Sequence, residues 1–170
     1  GGVSYSKSVY KLIPTEIIVN DTFELVIGDV VDLGAVLMPA GAGNLSYLSN
    51  DSSVVDADDY GIITAIGSGI AKITISFAGT DQYSPCNATA TVNVSKIATH
   101  IDVDSRYDLT VGDVVDLNAV LTPSGAGNLS YVSSNPDVVR VDDGVITALA
   151  NGVSNVTVSF AENNRYKGSN

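Results

Sequence analysis

The sequence predicts an all-β protein of two tandem antiparallel β-sandwiches, and three observations carry that reading. One stretch of the chain is present twice. Within each copy apolar and polar residues alternate with period two. Between the alternating runs stand Gly, Pro, Asn, Asp and Ser, the residues of turns.

The duplication comes first, because 170 residues suit either one large domain or two small ones. Gly28 matches Gly112, a period of 84 residues (112 minus 28), and residues 15–59 align on 99–143 without a gap. After Tyr60, an extra residue in the first copy, residues 61–87 align on 144–170. The matched stretches include GDVVDL from Gly28 and Gly112, GAGNLSY from Gly41 and Gly125, and SFA from Ser76 and Ser159. A solenoid repeat of ~20 to 50 residues cannot bury its own face, but a unit of this length can, so two independent domains are expected. Their bounds are 15–98 and 99–170.

Strands are expected in the first copy over 15–19, 23–27, 31–37, 44–49, 54–57, 62–66, 71–77 and 90–94. Val31, Leu33, Ala35 and Leu37 share one face with Asp32 and Gly34 on the other, and Ala71, Ile73, Ile75 and Phe77 alternate with Lys72, Thr74 and Ser76. The second copy repeats the phase with Val115, Leu117, Ala119 and Leu121, then Val156, Val158 and Phe160. Turns fall at Gly28-Asp29, 39–43, 50–53, 58–61 and 67–69. No stretch has helical periodicity.

The pattern GD-V-L-A-L-P-G-LSY-S, then VV, D-G-ITA, G and T-SF-Y, resembles the bacterial immunoglobulin-like (Big) domains. These occur in tandem in adhesins, invasin-like proteins and surface proteins of bacteria and methanogenic archaea. The resemblance covers residues 15–95 and the second copy to Asn170. It implies immunoglobulin-like sandwiches of Greek-key connectivity. Tyr47 and Tyr131 stand where that family often has Trp. Its motifs say more about fold than function, since such domains also decorate secreted enzymes and phage particles.

The copies are offset from the ends of the chain. Residues 5–10 align on 89–94, so the N-terminal segment 1–14 reads as the last strand of a preceding repeat, and the second copy stops before its own last strand. Two consequences are open. A neighbouring chain donates the missing strand, giving strand exchange and an open-ended assembly, or the second unit is left open. The 95–99 connection, Ser-Lys-Ile-Ala-Thr, has neither Gly nor Pro, which predicts limited bending between the units.

Charge narrows the partners. A formal net charge of -11 with eight scattered Lys and Arg residues argues against nucleic acid and against anionic membrane surfaces. No apolar run approaches the ~20 residues of a membrane helix, and the opening GGVSYSKS is not a signal pattern. The partners expected are neighbouring repeats of the same protein and another cell's surface protein or glycan.

Candidate chemistry is sparse. Asp58-Asp59 and Asp142-Asp143 recur at one turn; a calcium site would need six to eight converging oxygens, and an Asp pair before Gly is ordinary turn sequence. Cys86 is single and its counterpart is Ser169. His100 is the one histidine, and Glu16 holds its place in the first copy. Lys72 matches Asn155 and Lys11 matches Ser95, so no Lys repeats as a Lys–Asn crosslink would require. Seven Asn-x-Ser/Thr triplets, at Asn20, Asn44, Asn50, Asn87, Asn93, Asn128 and Asn155, are glycan acceptors if the environment glycosylates, whereas Pro136 excludes Asn135. There is no Trp, and Phe77/Phe160, Tyr83/Tyr166 and Tyr47/Tyr131 read as core or corner residues rather than a sugar-stacking platform.

The sequence therefore predicts no catalytic, cofactor or metal residue. It predicts a non-catalytic extracellular spacer of an adhesin-like cell-surface protein, contributing to cell adhesion. The alternatives are a direct protein- or glycan-binding adhesion module and an accessory domain of a secreted hydrolase.

Overall fold

The computed structural model describes residues 2–4, 6 and 11–170. The strand expected over residues 5–10 lies outside the described residues, Ser6 excepted. The chain divides into two compact units, Gly1–Ser95 and Lys96–Asn170. Among the described residues every regular element is a β-strand.

The first unit contains β1 (Glu16–Ile18), β2 (Thr22–Val26), β3 (Val30–Asp32), β4 (Val36–Met38), β5 (Ser46–Ser49), β6 (Val55–Ala57), β7 (Ile62–Ala65), β8 (Gly69–Phe77) and β9 (Cys86–Ser95). One sheet runs β2-β9-β8-β5 and another β3-β7-β6, with β1 paired to β4. The connections β2–β3, β5–β6 and β7–β8 pass from sheet to sheet, as a sandwich requires. Along β8 the period-two pattern does its expected work: Ala71, Ile73, Ile75 and Phe77 are buried while Lys72 is exposed. From β9 come Ala90, Val92 and Val94, and from β7 Ile63 and Ala65. Burying one such Ile or Val stabilises by about 1.5–3 kcal/mol, so these alternating positions hold the unit together.

Two features depart from a plain reading of alternation. The run 31–37 is not one strand: it breaks at Gly34, and its halves pair differently, β3 with β7 and β4 with β1. At the break Gly34 takes φ 64°, and its N–H donates to Asp32 Oδ1 at 2.9 Å. In the second copy Asn118 holds the same conformation at φ 49° and donates to Asp116 Oδ1 at 2.8 Å. Asn is among the few non-Gly residues that tolerate this region. The second departure is that β2 lies parallel to β9, whereas the other paired strands are antiparallel. Parallel neighbours need a long crossover, and the chain between Val26 and Cys86 supplies it.

The second unit contains β10 (His100–Asp102), β11 (Val114–Asp116), β12 (Val120–Thr122), β13 (Ser130–Ser133), β14 (Val139–Asp142), β15 (Val145–Ala148) and β16 (Val156–Ser159). Registers repeat by alignment: Tyr131 faces Val158 as Tyr47 faces Ile75, and His100 faces Thr122 as Glu16 faces Met38. The core gathers around Leu117, Ile146 and Val158. The sheet holding β13 and β16 has two strands where its counterpart has four. Each unit is an immunoglobulin-like, all-β sandwich.

Candidate functional site

Most acidic candidates are absorbed by turns. Asp143 and Gly144, at φ 44° and 79°, form a two-residue hairpin between β14 and β15, the conformation that Asp-Gly favours. The extra Tyr60 lengthens this turn in the first unit. There Asp58 Oδ1 accepts the N–H groups of Tyr60 at 2.8 Å and Ile62 at 2.9 Å. Asp51 Oδ1 accepts from the Ser53 N–H at 3.1 Å and from the Ser53 hydroxyl, and that hydroxyl contact leads in holding the carboxyl below its ordinary pKa. Among the described residues no three His, Cys, Asp or Glu side chains come together as metal ligands would, and no polar or charged side chain is buried.

The remaining candidates lie apart. Cys86 is half-buried at the head of β9, opposite Phe77. His100 is exposed in β10. Asn93 does not project freely: its amide donates to Glu24 Oε2 across the β2–β9 pair at 2.9 Å. Asn155 and the other five acceptor asparagines are exposed, though Asn50 Oδ1 already accepts from the Lys72 N–H at 2.8 Å.

The aromatic pairs are structural. A Cβ on Gly43 would sit 2.6 Å from Phe77 Cε2, and one on Gly127 equally close to Phe160, so each ring lies directly on a glycine. Burial raises the phenol pKa of Tyr47, with Asp32 and Asp58 adding to it, and likewise that of Tyr131, with Asp143 and Asp116.

A concavity of the second unit is lined by a mixture of apolar and polar side chains. A groove of about 650 Å³ is bounded by residues 103–111 on one side and 150–158 on the other, with Leu117 and Ile146 beneath. Tyr107, on its rim, donates its hydroxyl to the Leu117 carbonyl at 3.1 Å. Residues 105–111 align on the stretch that holds β2 but form no strand. The effect on burial is plain: Ile27 is 6% exposed, whereas its counterpart Val111 is 53% exposed. The alternation of Tyr107, Leu109 and Val111 is present in the sequence, and an open second unit is one of the two outcomes expected from it; the residues that line the groove are not foreseen there.

No family model matches the chain. An uncharacterized protein of Clostridium acetobutylicum is 32% identical over 142 residues, which is 80% of this chain and 14% of that protein. The chain thus spans a small part of that relative's length. Among solved structures, the chain is similar to mouse protocadherin-24 EC1-3 at TM-score 0.37 and 14% identity, covering 84% of this chain and 63% of that one. Drosophila N-cadherin EC1-4 matches at TM-score 0.40 and 13% identity, covering 82% and 41%.

Proposed function

We propose that the chain is a non-catalytic spacer: two tandem domains, 15–98 and 99–170, of the bacterial immunoglobulin-like (Big) type in an extracellular, adhesin-like surface protein. The observation that carries this reading is the repetition itself. Both units set matching residues against matching partners, as Tyr47 faces Ile75 and Tyr131 faces Val158, and as Phe77 lies on Gly43 and Phe160 on Gly127. A binding or catalytic site is instead expected as converging polar groups in a cleft. The reading assigns no catalytic, cofactor or metal residue, and a net charge of -11 favours solubility.

The test is a binding screen on the whole chain, using glycan arrays and cultured cells. A spacer gives no saturable binding. Saturable binding that a loop substitution in either unit abolishes would replace the spacer reading with a direct adhesion module.

A further inference from the structure

The groove of the second unit has an occupied counterpart in the first. Between β2 and β8 lies β9, which fills the equivalent space with Ala90 and Val92, both 0% exposed, and Val94, 3% exposed. By alignment the walls match: Tyr107 and Leu109 stand for Phe23 and Leu25, and Val156 and Val158 for Ile73 and Ile75. In the second unit β16 pairs with β13 on one edge; among the described residues no strand takes its other edge. An unpaired edge beside an apolar slot is the arrangement to which an extended segment adds.

The register of such a segment is already set. In the first unit the β8–β9 ladder includes the pair Phe77–Cys86. The aligned residues of the second unit, Phe160 and Ser169, exchange both backbone bonds: the Phe160 N–H donates to the Ser169 carbonyl at 2.8 Å and the Ser169 N–H to the Phe160 carbonyl at 3.1 Å. Continuing that register would set β9-type Ala and Val side chains against Val156, Ser154 and Gly152, as Ala90, Val92 and Val94 face Ile73, Ala71 and Gly69.

We propose that the groove is a strand-acceptor site whose occupant is an extended segment of β9's chemistry, with Ala or Val at alternate positions, entering through Asn170 antiparallel to β16. The tethered source is favoured because Ser169 is seated in the ladder, so a joined segment acts at an effective concentration on the order of millimolar with no association step. This goes beyond the spacer reading and does not depend on it, since a ligand found in the binding screen would leave it standing.

The experiment compares the 170-residue chain with the chain extended after Asn170 by Ala-Thr-Ala-Thr-Val-Asn-Val-Ser, the sequence of residues 88–95. A control extension, Thr-Ala-Thr-Ala-Asn-Val-Ser-Val, has the same composition and inverted phase. Hydrogen exchange of the amides in 105–111 and 152–158, and the melting of the second unit, are read by NMR. The expected result is slowing of that exchange by about 100-fold and a Tm increase of about 10 °C for the in-phase extension only. Equal effects from both extensions, or none from either, overturn the proposal. So does protection of the same amides in the unextended chain that grows with concentration and accompanies self-association, because the occupant is then a second copy.

Discussion

The ring of Tyr47 lies against Gly61, so closely that a Cβ on that glycine would be 2.7 Å from Cζ of the ring. Gly61 also has φ 81°, a conformation that L side chains adopt at a cost. Gly61→Ala therefore suffers twice, from backbone strain and from displacement of a partly buried ring. We expect a loss of about 2–3 kcal/mol in the first unit, measured by urea denaturation with amide resonances reporting each unit separately. In the second unit the same contact is 3.0 Å, between Gly144 and Tyr131, so Gly144→Ala is expected to cost less.

Leu25 and Leu109 occupy the same position in the two copies but not the same environment. Leu25, beside Val94 of β9 in the same sheet, is buried, whereas Leu109 lines the open groove and is half-buried. Truncating a core leucine costs about 2–5 kcal/mol, and the figure falls with the contacts available to lose. Leu25→Ala is expected at about 3 kcal/mol in its unit and Leu109→Ala at about 1 kcal/mol or less. Equal losses would mean that the groove is closed in solution.

Much of this was legible in the residues. The buried face of β8 is the alternation of Ala71, Ile73, Ile75 and Phe77, and turn chemistry at Gly28 and Gly112 marks the same boundary twice. The break at Gly34 was not legible, because Leu33, Ala35 and Leu37 keep their phase through it and only the backbone changes direction. Asn118 concealed the same break in the second copy, being polar and outward like any surface residue. The parallel pairing of β2 with β9 was also invisible, since period two says which face a residue takes and nothing about which strand lies beside it. Residues 105–111 make the complementary point. Their pattern is that of a strand, yet no strand forms there, because a ladder needs a neighbour as well as a sequence.

Asp58 is expected to act as a turn residue. Its carboxylate accepts two N–H groups of its own loop, so Asn, which retains an acceptor oxygen, should substitute with little loss. Ala leaves both donors to water, and on this exposed turn the expected cost is about 1 kcal/mol. Denaturation of Asp58→Asn and Asp58→Ala, with and without millimolar calcium, makes the comparison. A calcium-dependent rise in stability that both variants lose would assign the Asp58-Asp59 turn to metal binding instead.

Alkaline pH offers a test of how the half-buried phenols contribute. Burial, with nearby carboxylates second, raises the pKa of Tyr47 in the first unit and of Tyr131 in the second. In the unfolded chain both should ionise near 10, the ordinary phenol value. A group whose folded pKa lies above its unfolded one keeps its contribution below the unfolded value and loses it as pH rises through the folded value. Both units should hold their stability up to about pH 10 and lose it above. Tyr107, also raised, chiefly by burial, adds to the loss in the second unit. Tyr47→Phe removes the ionisation without removing the ring, so the first unit should become less sensitive to alkali while the second is unchanged. The check is the urea midpoint of each unit between about pH 8 and pH 11, alongside tyrosinate absorbance. If Tyr47→Phe leaves the first unit's alkaline loss intact, another group is responsible and the ring of Tyr47 is more open to water than its contact with Gly61 implies.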